Sequence, residues 1–318
     1  MRYNEAICKA IADEMTEDSS VLMFGEDIRN NLYNYTDKLL ETFGEDRVID
    51  IALAEASVVG AAAGMAMCGM RPIVDLTVSS FLYVAMDQIV NMIAKIQYMY
   101  NGNYQVPVTL MCSNMYRGGN ACQHSDRNHG LFMHFPGLKV ICPATPNSMY
   151  WMLRKAIRDN NPVICFSDRT CFSMEGEVET EVNVGENAVF SYGYDVTIVT
   201  ISGAYRMVMD GLEQLQEKGI APEIVAVESL CPLDMGTIID SLKRTGKLII
   251  CDTDNRTGSA ASEIAAQVSQ NAFAYLKKEI CIIAAEDYPV PFEKHLEEQI
   301  VLTKDKIVTG VIDFMKKK

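Results

Sequence analysis

Glu55 opens the segment LAEASVVGAAAGMAMCGMRPIVD (53–75), where one carboxylate precedes a run of Ala, Gly, Met, Val and Cys. Small residues let a helix approach other backbone closely, and Gly60 and Gly64 lie four apart on one face. A carboxylate held there is poorly solvated, its proton affinity rises, and it becomes able to share a proton with a ring nitrogen of a bound cofactor. The helix dipole alone also favours an acid in a first turn. His124 is the second candidate. It lies in RGGNACQHSDRNHG (117–130), beyond the apolar run VPVTLMC, and an imidazole there can give a proton to, or take one from, a reacting oxygen. A polar loop histidine with Ser125 or Asp126 as helix caps is the plainer alternative. The four histidines are His124, His129, His134 and His295. His124 and His129 share one polar segment without further ligands nearby, so a zinc site is not expected.

These residues need a scaffold at whose edge they can sit. Apolar runs at 20–24, 72–76, 106–112, 138–142 and 162–166 alternate with helical patterns at 36–43, 55–69, 81–98 and 146–158, behind an amphipathic amino-terminal helix. Alternation of this kind implies crossover units, a parallel sheet and helices on both faces. Residues 168–193 lose the helical period and read as a β-rich linker. Alternation restarts with DVTIVTI, a helix at 204–218, EIVAV, a helix at 235–244, KLIICD, a helix at 259–276 and EICIIA. The expected organisation is an α/β domain over 1–167, a linker over 168–193 and a second α/β domain over 194–318, both doubly wound. Ligands of such sheets bind beyond the carboxyl ends of the strands, where His124 falls.

Composition narrows the function. With 318 residues, 49% of them hydrophobic and 22% charged, the chain can form two sizeable cores. A net charge of −14 argues against a nucleic-acid partner and suits a basic protein partner. Ten cysteines without CxxC spacing read as reduced thiols of a cytoplasmic protein, and no apolar run has the length of a membrane span. No GxxxxGK[ST] or GxGxxG nucleotide loop is present, and no GDG with a downstream Asn, the usual thiamine diphosphate and magnesium clamp.

GEDI (25–28), FGEDRVIDIALAEASVVGAAAGMAMCGMRPIVD, DQIVNMIAKIQYM (87–99), QHS (123–125), PGLKVICPATP (136–146) and AIRDNNPVI (156–164) follow one another in a fixed order. Together with DVTIVTISGA, LCPLD (230–234), RTGSAASEI (256–264) and YPVPFEKHLEE, they resemble the β subunit of thiamine diphosphate-dependent 2-oxo acid dehydrogenases, the first component of pyruvate, branched-chain and acetoin dehydrogenase complexes. The resemblance implies a transketolase-like pyrimidine-binding domain followed by a transketolase carboxyl-terminal-like domain. It implies that Glu55 hydrogen-bonds N1′ of the cofactor's aminopyrimidine, that Phe81 and Glu26 lie beside the cofactor, and that His124 faces the substrate or incoming lipoyl group. AIRDN resembles a monovalent-cation site, with K+ held by Asp159, a carbonyl near Ala156 and Asn161.

The same resemblance explains the missing GDG clamp. Diphosphate and Mg2+ would be held by an α subunit in an α2β2 heterotetramer with a β–β contact, and the carboxyl-terminal domain would dock a dihydrolipoyl acyltransferase core. Several positions depart from the pattern. A Gly-rich stretch after GEDI is replaced by RNNLYNYTD, a proline by Ala52, the charged pair of IDLRTL by Ala226 and Glu228, and the second Gly of RTGG by Ser259. Segments at 114–116, 172–178 and 261–264 lean toward the acetoin type. The carboxyl-terminal half of a split transketolase and a non-catalytic β-type scaffold are the alternatives.

Overall fold

The computed structural model describes residues 1–317, which separate into a unit of Met1–Asn114 and Phe132–Val184 and a unit of Met115–Leu131 and Gly185–Lys318. In the first unit, β1 (Val21–Gly25), β2 (Val48–Asp50), β3 (Arg71–Val78), β4 (Thr109–Asn114), β5 (Lys139–Ile141) and β6 (Val163–Asp168) are all parallel, in the order β5-β6-β4-β3-β1-β2. Strands β1, β4 and β6 are buried throughout, which is why they read as continuous apolar runs rather than alternating ones. From β1 the chain goes outward to β2 and then back across β1 to β3. The order therefore reverses at β1 and β3, and the carboxyl ends of those two strands flank the crevice where such sheets receive ligands.

One face is covered by helices Tyr3–Glu17 and Pro146–Arg158, whose Ile7, Ile11, Met15, Met149, Leu153 and Ile157 join Met23 and Ile73 in the core. The buried Glu14 carboxylate is paired by Arg154 at 2.5 Å and Arg158 at 2.7 Å, so its charge is compensated where water cannot reach it. The helix at Pro146 starts where Thr145 and Ser148 cap one another.

The helix expected over 81–98 is not one helix. Residues Ser79–Ala85 form a 3-10 run, Gln88–Ile93 a π turn and Ile96–Met99 a short α-helix. The register of β3 on β4 shifts between Asp75 and Val78, and the altered winding beyond it keeps Leu82, Ala85, Ile89 and Ile93 buried. The glycines of helix Glu55–Met67 also differ from expectation. A Cβ on Gly64 would meet nothing within 4 Å, and one on Gly60 only Gln88 Cγ at 3.7 Å. Neither is required by close packing within the described residues, and Ser57, Ala61 and Gly64 are exposed instead.

In the second unit, β7 (Ala188–Tyr192), β8 (Val196–Ile201), β9 (Pro222–Val227), β11 (Leu248–Asn255) and β12 (Cys281–Ala285) form a sheet ordered β12-β11-β8-β9-β7, with a short strand β10 (Ser229–Cys231) after β9. All pairs are parallel except β7 on β9, an antiparallel edge. The β-rich linker expected at 168–193 does not form as such. Asp168 ends β6, Arg169–Cys171 make one helical turn capped by the Asp168 carboxylate, and the only strand in the stretch, β7, belongs to the second sheet. The second unit begins at Gly185, ahead of the boundary at 194, and it also claims residues 115–131. Helices Lys294–Ile300 and Lys304–Lys316 complete it and had no counterpart in the sequence reading.

Candidate functional site

Three segments of the first unit converge on the switch point. Glu26 directly follows β1, Glu55 begins the helix after β2, and Phe81 lies in the 3-10 run that follows β3. Gly25 pairs with Asp75 across the two strands, and a Cβ at residue 25 would lie 2.2 Å from the Asp75 carbonyl oxygen. Glycine there lets the two strand ends close on one another and brings Glu26 beside Asp75.

Glu26 is 5% exposed. Its carboxylate accepts the N–H of Ala54, the cap residue of the Glu55 helix, while Oε1 is buried with no hydrogen-bond partner. Burial, followed by the nearby Glu55 and Asp75 charges and opposed by the Ala54 bond, pushes the Glu26 carboxyl up to about 7. Asp75 accepts Tyr35 Oη–H at 2.8 Å and the Thr77 N–H at 2.8 Å, yet complete burial still raises it to about 6. A half-buried Glu55 thus stands beside an acid poised to hold a proton at neutral pH, with a second buried acid behind it. The acceptor capacity left on Glu26 Oε1 calls for a donor, and a ring system carrying both an N–H donor and a basic nitrogen matches that set. Glu26, Glu55 and Phe81 are the positions expected from the sequence; Asp75 and Tyr35 are not among them, because they meet behind Glu26 only when β3 and the 28–38 loop pack together.

That loop accounts for the absent Gly-rich stretch. Asp27, Asn31, Asn34 and Lys38 have φ of 55°, 48°, 58° and 61°. Asn and Asp tolerate this left-handed region because their short side chains bond locally. Asn31 Oδ1 does so, accepting the Thr36 N–H at 2.9 Å. At Ser259, glycine is unnecessary: φ is −77°, and the hydroxyl caps helix Ala260–Asn271 by accepting the Ser262 N–H.

His124 is exposed on the 115–131 segment of the second unit, at the end of the helical turn Cys122–His124. The same segment carries buried Arg127 and His129, which join β11. Arg127 Nε donates to Thr253 O at 2.6 Å and Nη2 to Asn255 Oδ1 at 2.6 Å, and His129 Nε2 lies 2.8 Å from Asp252 Oδ1. His129 is therefore a fully buried residue hydrogen-bonded to the Asp252 carboxylate. Nothing in the sequence spacing links residues 127 and 129 to 252–255.

Ala156, Asp159 and Asn161 meet at the end of helix Pro146–Arg158, but the Ala156 carbonyl and the Asp159 oxygens already have donors. One Asp159 carboxylate oxygen pairs with Lys139 Nζ, and the other accepts the Asn161 N–H and side-chain amide, each at 2.9 Å. Burial pushes the Asp159 carboxyl up, and the Lys139 and Asn161 bonds outweigh it, holding the group below its ordinary value. The Ala156 carbonyl accepts the Asp159 N–H, and Arg71 Nη1 donates to the carbonyls of Ile157 and Asp159 at 3.1 Å. The carboxylate expected as a K+ ligand already has a lysine ammonium as its cation, so it does not fit an added ion. Among the described residues, no group of three or more His, Cys, Asp or Glu side chains is placed to hold a metal, and no helix is long and apolar enough to cross a membrane. None of the ten cysteines is in a disulfide; Cys112, Cys142, Cys165, Cys171 and Cys251 are buried, whereas Cys68 and Cys122 are exposed.

Residues 1–173 match the transketolase pyrimidine-binding domain and residues 185–307 the transketolase C-terminal domain. The chain is 38% identical to an acetoin:2,6-dichlorophenolindophenol oxidoreductase subunit beta of Cupriavidus necator, covering 98% of this chain and 96% of that protein. It is 33% identical to a 2-oxoisovalerate dehydrogenase subunit beta of Bacillus subtilis (96% of each) and 35% identical to a pyruvate dehydrogenase E1 component subunit beta of Gracilaria tenuistipitata (96% and 97%). Among solved structures, a split-gene transketolase described as an inactive β4 tetramer shares the fold, with a TM-score of 0.80, 22% identity and coverage of 99% and 98%. With its two domains, its acid pair at the switch point and these relatives, the chain belongs to the family of β subunits of thiamine diphosphate-dependent 2-oxo acid and acetoin dehydrogenases.

Proposed function

We propose that this chain is the β half of an acetoin- or 2-oxo acid-cleaving dehydrogenase, that Glu55 is its proton-sharing carboxylate, and that a separate α subunit holds the diphosphate and Mg2+. The observation that carries the reading is the Glu26–Glu55 pair, in which a buried acid with an unpartnered oxygen stands beside a half-buried one at the sheet's switch point. Thiamine diphosphate, when bound, supplies a carbon nucleophile that also accepts the electron pair released on cleavage.

The chain's residues account for the rest. Glu55 hydrogen-bonds the ring nitrogen and moves a proton there, and Glu26 keeps the Glu55 helix start in place through Ala54 while limiting solvation around it. Phe81 offers an aromatic face beside the ring. His124, exposed, delivers a proton to the acceptor of the acyl group, for which we propose the lipoyl arm of a dihydrolipoyl acyltransferase core. The exposed face of helix Glu55–Met67 carries the small residues Ser57, Ala61 and Gly64, which would let a partner subunit approach closely. The two acetoin-active relatives, at 38% and 36% identity, favour acetoin as the first substrate to assay.

The test is reconstitution of the chain with its α partner, followed by hydrogen–deuterium exchange at the cofactor's C2 carbon. Glu55→Gln should leave assembly intact and slow exchange by about a hundredfold or more. Unchanged exchange in the variant would remove Glu55 from the chemistry. Tight magnesium-dependent cofactor binding to the isolated chain would overturn the assignment of the clamp to α. An assembled wild-type complex without exchange would favour a non-catalytic scaffold.

A further inference from the structure

The segment 115–131 leaves β4 and carries His124 on backbone that is costly to hold. Arg117 has φ 65°, and Ala121, three residues before His124, has φ 60° and ψ −177°. That combination is essentially confined to glycine and persists only where the surroundings over-determine it.

Within the second unit, two anchors supply that determination. At the start, the carboxylate of Glu297, 1% exposed, accepts the N–H groups of Arg117 at 2.6 Å and Gly119 at 3.0 Å. At the end, Arg127 donates to the carbonyls of Ser125 at 2.8 Å and Thr253 at 2.6 Å and to the Asn255 side chain. His129 meets Asp252 at 2.8 Å with both side chains wholly buried. The same Asp252 carboxylate also accepts the Asp254 N–H on Oδ1 at 3.0 Å and the Ala261 N–H on Oδ2 at 3.1 Å, so the pair is tied to the backbone that follows β11. A carboxylate only accepts, so His129 pairs with it through Nε2–H. Gly130 completes the seat, since a Cβ there would fall 2.9 Å from the Ala260 nitrogen. An exposed His124 thus sits on a strained turn between two buried, charge-assisted clamps. An exposed loop histidine without a task would need neither.

We propose that His129, through its buried pair with Asp252, and Arg127 are positioning residues that hold the 115–131 strap in the one conformation that presents His124 to the acyl acceptor. The proposal rests on the reading of His124 given above. Displacement of a reacting group by about 1 Å costs up to about a hundredfold in rate. Loosening the strap should therefore lower acyl transfer selectively while leaving cleavage, measured with an artificial electron acceptor, largely intact.

The experiment compares His129→Leu, His129→Gln, Arg127→Met and His124→Ala in the reconstituted complex, by the ratio of lipoyl acylation to artificial-acceptor reduction. Amide hydrogen exchange over residues 117–126 is followed in parallel. His129→Leu should lower the ratio by about tenfold or more and speed the exchange. His129→Gln, whose amide nitrogen reaches the position of Nε2, should restore both to within about twofold of the parent. Equal loss of both activities, or an unchanged ratio with unchanged exchange, would overturn the proposal. Should His129→Leu fail to assemble, Arg127→Met gives the same readout from the same anchor, and an unchanged ratio there is equally fatal. If His124→Ala leaves the ratio unchanged, the functional reading of His124 fails. If His124→Ala lowers it while His129→Leu and Arg127→Met do not, only the positioning role fails.

Discussion

Replacing Glu26 with Gln removes a buried group whose charged form is disfavoured. Its carboxyl stands at about 7 against an ordinary 4.5, chiefly through burial and then through Glu55. A carboxyl that binds its proton more tightly when folded stabilises the native state at low pH, and that contribution is lost as pH rises from about 4.5 to about 7. The difference corresponds to at most about 3 kcal/mol, and to about half that if solvent screens the site. Gln keeps an acceptor for the Ala54 N–H and does not ionise. Relative to the parent, Glu26→Gln should therefore gain stability progressively between pH 5 and pH 8, by about 1–3 kcal/mol in total. Trp151, the only tryptophan, lies on helix Pro146–Arg158 of the same unit, so its fluorescence reports urea unfolding of the unit that contains Glu26. A parent–variant difference that stays constant within about 0.5 kcal/mol across that range would refute the argument, because only a group titrating within it can produce the slope.

Gly25→Ala should be severely destabilising, by about 3 kcal/mol or more, because its Cβ would lie 2.2 Å from the Asp75 carbonyl and force β1 from β3; urea titration checks this. Lys139→Met should cost about 1 kcal/mol at pH 7. Burial raises the Asp159 carboxyl, but its bonds to Lys139 and Asn161 hold it below the ordinary 3.8, so the contribution is present above about 3.8 and is lost only as pH falls through that lowered value; thermal melts stepped down from pH 7 should show the parent–variant difference shrinking only in that acid range. His124→Ala should reduce lipoyl acylation at least about tenfold more than artificial-acceptor reduction in one reconstituted preparation, since only acylation needs proton delivery to the acceptor. Loss of both together with weaker assembly would mark it as structural.

Most of the scaffold was legible in the chain because its strands are buried on both sides and bounded by turn residues, and because helices such as Pro146–Arg158 and Ala204–Glu217 bury one face at helical spacing. Val21–Gly25, Val163–Asp168, Pro146–Arg158 and Ala204–Glu217 fall within a few residues of their patterns. The stretch 79–99 did not, because its winding is set by the β3 bulge rather than by its own period. Glu55 and His124 stand out by residue type and position along the chain, and Glu26 and Phe81 by the order of motifs in the family resemblance, none of which needs a third dimension. What the chain alone could not supply was company. Asp75 and Tyr35 behind Glu26, Lys139 on Asp159, and Asp252 on His129 are pairings across 40, 20 and 123 positions of sequence. Their energies come from burial and from oriented hydrogen bonds, both of which arise only once strands and loops distant in sequence are packed together. The sequence therefore determined which groups could do chemistry, and the tertiary structure decided their charge, their partners and the backbone that holds them.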